Sequence, residues 1–181
     1  MGLRPARTCR TLEKIPWTRY SKKKPRQSFV KAMPHLSLNV YKMGASGKEY
    51  DTRYELVAQH DVQLRDNTLE AARQAMNKYL EKLMLNQYEF LVLVYPHNVI
   101  RENKMIAGAG ADRLQKGMRK AYGRATDRAA RVTMGQAIFR ISTNVAKEVT
   151  IREGVRRALS KLSGKWKLKK TKQTVAAVAA A

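Results

Sequence analysis

Positive charge is divided unevenly along this chain, and the division limits which part of it can form a compact core. Residues 32–100 carry seven basic and eight acidic side chains and are close to neutral. The flanking segments are strongly basic: ten basic and one acidic residue in 1–31, nine and three in 101–131, and eleven and two in 132–181. A net charge of +23 would repel itself in a compact free monomer. The basic segments therefore imply a polyanionic partner.

The length of 181 residues and the hydrophobic content of 44% suit one domain with appendages. Residues 1–35 are predicted to be an extended basic arm that binds RNA, because four prolines interrupt them and no apolar stripe recurs. Trp17, Tyr20 and Phe29 stand among its charges, where each ring could either stack on an unpaired base or hold the arm to its own domain.

Residues 36–168 are predicted to form a single α+β domain, with helices packed on a mixed or antiparallel sheet. Apolar residues alternate from Tyr54 to Leu64, which predicts a half-buried strand that could be broken in two. Further strands are predicted at 88–95, at 98–105 as a pairing strand after a tight turn, and at 132–143. The basic and then alanine-rich C-terminal end is interpreted as a tail, set at 169–181.

Two helices are predicted from apolar stripes. The first covers 67–85 and buries Leu69, Ala72, Met76, Leu80 and Leu83; the second covers 150–162 and buries Ile151, Val155, Ala158, Leu159 and Leu162. Each begins with a sequence typical of a capping box, Asn67 with Glu70 and Thr150 with Glu153.

The segment GAGADRLQKGMRKAYGRATDRAARV, residues 108–132, has no stripe that could hold it to a core. A nucleotide-phosphate loop is disfavoured because Arg113 stands where a dinucleotide fingerprint needs its third glycine. A catalytic lid is disfavoured because the three histidines are far apart in sequence and His60 alternates with core residues. A basic loop that lies along irregular RNA remains the favoured interpretation, with its bounds at about residues 104–127.

Features that the sequence lacks argue against a membrane protein, a secreted protein and an enzyme. No run of 18 apolar residues and no signal-peptide core occur, so no membrane partner is expected. The single cysteine, Cys9, cannot form an internal disulfide and fits a reducing cytoplasm. Neither a catalytic group, a metal site nor a cofactor is predicted.

Two stretches make the chain resemble a known family. The loop AGADRLQKGMRKAYG (109–123) and the arm sequences RPARTCR and WTRYSKKKPRQSFVKAMPH are similar to the archaeal branch of the large-subunit ribosomal protein family ten-e, whose bacterial counterpart is large-subunit protein sixteen. The resemblance covers about residues 1–168. It implies a two-layer α/β sandwich of the hammerhead type, embedded in ribosomal RNA, with the loop reaching toward the tRNAs and the peptidyl-transferase centre.

The resemblance also suggests where RNA is contacted. The candidates for ribosomal RNA are Arg4, Arg7, Arg10, Arg19, Lys22, Lys23, Lys24, Arg26, Arg124, Arg128, Arg131, Lys165 and Lys167. The candidates in the loop near tRNA are Gly110, Arg113, Gln115, Lys116, Gly117, Arg119 and Lys120.

The implied function is that of a non-enzymatic structural constituent of the cytoplasmic large ribosomal subunit. Its expected partners are large-subunit ribosomal RNA, with the small 5S RNA as a candidate, tRNA and neighbouring ribosomal proteins. Two alternatives stay open at this point: an RNA-modifying or RNA-processing enzyme with basic arms, and a ribosome-assembly chaperone.

Overall fold

A computed structural model describes residues 3–12, 33–104, 108–110, 113, 123–144 and 147–172. Within these residues the strands are β1 (Lys42–Gly44), β2 (Thr52–Ala58), β3 (Val62–Arg65), β4 (Tyr88–Val92), β5 (Asn98–Glu102), β6 (Arg124–Val132), β7 (Ala137–Thr143) and β8 (Trp166–Lys172). The helices are α1 (Asp66–Leu83) and α2 (Glu148–Leu159), with one 3-10 turn at Ala6–Thr8. This composition confirms the predicted α+β class.

The strands form two antiparallel sheets. The larger has the order β1-β4-β7-β2-β8, and the smaller has the order β3-β6-β5. In the larger sheet Tyr54 lies opposite Ile141 and Leu56 opposite Phe139, so the apolar residues of the period-2 pattern share one face. The pair Glu55 and Arg140 lies on the other face, where their side chains form an ion pair of 2.9 Å.

The core lies between the helices and the inner faces of both sheets. Helix α1 buries Leu69, Ala72, Met76 and Leu80, and α2 buries Ile151, Val155 and Ala158. The predicted stripes are thus confirmed at these positions, and Leu159 and Leu162 are partly buried against the same core. Leu83 was expected in the stripe but is 42% exposed, because α1 ends there and Met84 takes the buried place.

Both predicted capping boxes are wrong. Helix α1 begins at Asp66, whose carboxylate accepts the backbone N–H of Ser37 and of Asn67, each at 2.8 Å. Helix α2 begins at Glu148, so Thr150 lies inside its first turn. In both helices the expected capping glutamate binds arginine instead, Glu70 to Arg73 and Glu153 to Arg156 and Arg157. Because both helices begin before the expected cap residue, Asn67 and Thr150 lie inside the first turn and cannot act as caps.

The sequence predicted where most strands lie in the chain better than it predicted which strands pair. The predicted break after Ala58 is confirmed, and it sends β2 and β3 into different sheets. Strand β5 exists, but it pairs with β6 rather than returning along β4, because residues 93–97 carry the chain from the larger sheet to the smaller one. Residues 169–181 were interpreted as a tail, yet β8 pairs with β2 up to Lys172. Trp166 and Leu168, earlier in the same strand, pack against the core.

Candidate nucleic-acid interface

The basic N-terminal segment lies against the smaller sheet. The carbonyl oxygens of Cys9 and Arg10 accept the Nε2–H and the backbone N–H of Gln63, both at 2.7 Å. The Gln63 side-chain oxygen in turn accepts the amide of Asn98 at 2.8 Å, so both buried amides are satisfied. Residues 3–12 of the predicted arm therefore lie against the domain, and RNA binding by the arm stays a prediction. Trp17, Tyr20 and Phe29 lie outside the described residues.

The internal loop leaves the smaller sheet at a neck formed by the ends of β5 and β6, where Glu102 lies opposite Arg124. Arg4 donates from Nε to a Glu102 carboxylate oxygen at 2.6 Å, and Lys104 Nζ lies 4.0 Å from the other oxygen. The neck therefore joins the N-terminal segment to the loop. Because β6 begins at Arg124, the predicted loop bound at about residue 127 is wrong by a few residues.

Some of the predicted loop residues can be placed. Gly110 and Arg113 are exposed, and the Arg113 N–H donates to the Gly110 carbonyl at 3.1 Å in a turn where Gly110 has φ +74°. Only glycine takes that backbone conformation without cost. The other candidates in the loop, which lie outside the described residues, are Gln115, Lys116, Gly117, Arg119 and Lys120.

The arm candidates divide in the same way. Arg4, Arg7 and Arg10 are exposed on the docked N-terminal segment. Those outside the described residues are Arg19, Lys22, Lys23, Lys24 and Arg26.

Three of the candidates for ribosomal RNA, Arg124, Arg128 and Arg131, lie in β6, and their surroundings differ. Arg124 is exposed at the neck. Arg128 is half-buried, and its Nε donates to the Pro34 carbonyl at 2.7 Å while Nη1 lies 3.5 Å from the Tyr95 hydroxyl. Burial lowers the pKa of the half-buried Arg131 guanidinium. Arg128 thus has a structural role as well as a charge, which the loop interpretation did not foresee.

The C-terminal candidates Lys165 and Lys167 are exposed, Lys165 just before β8 and Lys167 within it. The adjacent helix α2 carries three arginines that pair with two glutamates: Arg152 with Glu148, and Arg156 and Arg157 with Glu153. The hydrogen bond from Arg156 is the main cause that lowers the pKa of Glu153 to about 2, helped by the bond from Arg157. Both glutamates are therefore ionised at neutral pH and offset part of the positive charge of this surface.

The outer face of the larger sheet carries a cationic surface, of which the sequence interpretation named only Lys167. The register places Arg53, Arg140, Lys167, Lys169 and Lys42 on that face, with Glu55 and Glu89 among them. The Nε of Arg53 is buried and has no hydrogen-bond partner among the described residues. The alternation of lysines in β8 was the available signal, but setting a tail at 169–181 divided the strand after Leu168.

Two searches of the described residues bear on other classes of function. No helix there is both long enough and apolar enough to cross a membrane. No group of three or more His, Cys, Asp and Glu side chains is gathered there as a metal site would need.

Comparison with known proteins gives a consistent result. Residues 17–169 match the family model for ribosomal protein L16p/L10e. A protein of Methanococcus maripaludis named large ribosomal subunit protein uL16 is 41% identical over 173 residues, which is 95% of this chain and 96% of the relative. Proteins of the same name are 42% identical over 163 residues in Staphylothermus marinus, covering 90% of each chain, and 43% identical over 138 residues in Hyperthermus butylicus, covering 76% of this chain and 77% of the relative. The chain belongs to the ribosomal protein L16p/L10e family.

Proposed function

We propose that this protein binds ribosomal RNA as a structural constituent of the large ribosomal subunit and extends its internal loop toward the tRNA sites near the peptidyl-transferase centre. Its family makes it a large-subunit ribosomal protein of the cytoplasm. The RNA contacts and the direction of the loop are the proposed part. Its proposed partners are large-subunit ribosomal RNA, with the small 5S RNA as a candidate, tRNA and neighbouring ribosomal proteins.

The neck of the loop is the observation that carries the proposal. Arg4 and Lys104 approach the Glu102 carboxylate, and Arg124 stands at the register position opposite it, so three basic residues and one acidic residue meet at the neck. A surplus of cations at this point favours a polyanion over an acidic or neutral protein surface. Gly110 and Arg113, exposed beyond the neck, place a turn and a guanidinium where they can approach a second RNA.

The mechanism is electrostatic and steric. Arg and Lys side chains neutralise phosphates, and arginine also pairs bidentately with phosphate or stacks on a base. The folded core fixes where the docked N-terminal segment and the neck stand relative to each other. Bound RNA is thereby held in one arrangement, and no bond is made or broken.

The test is the salt dependence of binding between the purified full-length protein and large-subunit RNA. Each neutralised phosphate contributes a log–log slope of about −0.7 on single strands to about −0.9 on duplex. If roughly ten of the 37 basic residues engage, the slope is about −7 to −9. Arg4→Gln and Arg124→Gln should each reduce its magnitude by about one unit. Lys78→Gln is the comparison variant, because Lys78 is an exposed cation of α1 outside both the predicted contact set and the cationic surface of the larger sheet. A flat affinity between low and moderate salt would contradict the proposal.

The two alternative functions give different outcomes. An RNA-modifying or RNA-processing enzyme would turn over RNA in a purified assay. An assembly chaperone would sediment with pre-ribosomal particles and be absent from mature large subunits, whereas the proposed function places it in the mature large-subunit peak of a sucrose gradient.

A further inference from the structure

A group of aromatic rings at the surface is left unexplained by the neck and the loop. Tyr41 and Tyr95 stack with ring centroids 5.8 Å apart and planes 19° apart. The His97 ring lies 4.6 Å from that of Tyr95, tilted by 50°. These three residues are called the aromatic series below. They join the edge of the larger sheet to the segment that leads into β5.

The connecting segment presents its side chains alternately. Leu93 and Tyr95 are 38% and 40% exposed and His97 is also exposed, whereas Val94 and Pro96 between them are buried. The His97 N–H donates to the Tyr95 carbonyl at 2.9 Å, so the chain turns tightly at Pro96. This turn brings the rings of Tyr95 and His97 together at the surface.

Core packing does not explain the exposure of Tyr95. The core tyrosines Tyr54 and Tyr88 are each 2% exposed, and the Tyr88 hydroxyl donates to Asn77 at 2.8 Å. Tyr95 is 40% exposed, so about two fifths of its surface is still open to water in the protein alone. A large amphipathic ring kept at the surface in this way is typical of a binding site.

The charges around the aromatic series favour an anionic ligand. The Arg128 guanidinium lies 3.5 Å from the Tyr95 hydroxyl, and its Nε is held by the Pro34 carbonyl at 2.7 Å, so the cation is fixed at the edge of the rings. Two carboxylates, Asp66 and Glu70, act on Tyr41 from α1. Asp66 is buried and accepts two backbone N–H groups, and Glu70 is neutralised by Arg73. Among the described residues, neither Asp66 nor Glu70 is paired with Arg128, so its charge at the rings is not cancelled by them.

We propose that the aromatic series, with Arg128 at its edge, is a binding site for an unpaired nucleobase of RNA. The base stacks against the exposed part of Tyr95 and His97, and Arg128 neutralises an adjoining phosphate. Stacking on aromatic side chains beside a cation is the general way in which proteins hold single-stranded bases. This inference rests on the proposed function, since it needs RNA to be the partner, and it adds a site outside both the loop and the N-terminal segment.

The first experiment couples a change in the protein to a change in the RNA. The full-length protein is titrated with a twelve-nucleotide single-stranded RNA, and with the same oligomer carrying abasic ribose at its central positions, at a salt concentration where phosphate contacts are weakened. Tyr95→Ala should reduce affinity for the base-containing RNA by about 5- to 150-fold, which is the range for one stacked base. It should change affinity for the abasic RNA by less than about twofold, because the interaction it removes is already missing.

Two further variants protect the result against trivial explanations. Tyr95→Trp keeps a stacking ring and should retain the preference for base-containing RNA, so a loss seen with Tyr95→Ala alone is not a failure to fold. Tyr79→Ala is the matched control, because Tyr79 is another tyrosine beside an arginine, with Arg157 over its ring at 4.0 Å. It should reduce affinity for both oligomers equally or not at all. Equal losses for both oligomers with Tyr95→Ala would overturn the site.

The second experiment identifies the occupant in assembled subunits. With His97→benzoylphenylalanine incorporated into large ribosomal subunits, irradiation should cross-link position 97 to RNA. Cross-linking to a ribosomal protein instead would overturn the inference and show that the aromatic series is a protein contact. Failure of the proposed function is recognised separately, because it would abolish the salt-dependent RNA binding of the unmodified protein.

Discussion

Gly123 stands at the point where the loop re-enters the smaller sheet, and replacing it with alanine tests whether the neck is a fixed structure. Its φ is +70°, in the left-handed region. A Cβ at this position would lie 2.6 Å from both the carbonyl carbon and the oxygen of Glu102, and 2.8 Å from the nitrogen of Asn103. These are backbone atoms of the opposite side of the neck, so they cannot move aside as a flexible side chain would.

Two costs add in Gly123→Ala. A left-handed backbone costs an alanine about 1–2 kcal/mol relative to glycine. Forcing extra volume into a close contact costs a further 1–3 kcal/mol or so. The free energy of unfolding should therefore fall by about 2–5 kcal/mol, unless the neck opens and the ladder pair of Glu102 and Arg124 is lost instead.

Gly47 separates the two costs. Its φ is +83°, yet no atom lies within 4 Å of the Cβ that would be added. Gly47→Ala should therefore lose only about 1–2 kcal/mol in urea unfolding at neutral pH. Hydrogen exchange should in addition show faster exchange of the β5 and β6 amides near the neck in Gly123→Ala alone. If the two variants unfold alike and the neck amides stay protected, the close approach at Gly123 has no energetic consequence and the reasoning is refuted.

Three further changes have definite expected outcomes. Shortening residues 108–121 to a few glycines should leave the free energy of unfolding nearly unchanged, since closure entropy varies slowly with loop length. Leu80→Ala in the core, by comparison, should lower it by about 2–5 kcal/mol. Subunits that contain the shortened protein should translate poorly, and normal translation would show that the loop is only a spacer. Glu153 has a pKa of about 2, below its usual 4.5, because Arg156 and Arg157 bind its carboxylate. The stability that this pairing gives the folded protein is therefore present above pH 4.5 and is lost as the pH falls to about 2. The difference in Tm between the wild type and Glu153→Gln should vanish over that range. Burial raises the pKa of Tyr88 from 10 to about 12, so the neutral phenol stabilises the fold below pH 10 and this contribution disappears as the pH rises through 12. Tyr88→Phe should remove that part of the alkaline dependence of the unfolding free energy. An unchanged dependence in the variant would contradict the assignment to Tyr88.

The sequence predicted elements well where one face of an element had to be buried. The stripe of α1 and the alternation in β2, β4 and β7 survive in the structure because burial of apolar area outweighs local preferences. Helix starts were predicted poorly because they depend on competition between side chains. Helix α1 begins at Asp66 and α2 at Glu148, so Asn67 and Thr150 lie within the helices. Glu70 and Glu153 each pair with an arginine three residues further on.

The contacts between segments far apart in the chain could not be predicted from the sequence. Nothing in the local pattern of β5 tells whether it returns along β4 or joins β6, because both choices bury the same apolar residues. The docking of residues 3–12 depends on Gln63 and Asn98, two polar side chains that a period-2 pattern assigns to solvent. The stack of Tyr41 on Tyr95 likewise joins residues far apart in the chain, so only the three-dimensional structure brings these rings together.

The smaller sheet connects the basic segments to the core, which explains how a chain with so large a charge excess can still fold. Its inner face contributes Val62, Leu64, Ala130 and Val132 to the hydrophobic core, so the sheet is fixed by burial. Its other side receives the N-terminal segment through Gln63, and its end forms the neck through Glu102. The cations at the neck therefore lie on or beside strands that are anchored in the core. Phosphate binding there does not have to overcome the conformational entropy of a free chain. A polyanion that binds both the segment and the loop should therefore gain affinity from the fixed spacing between them.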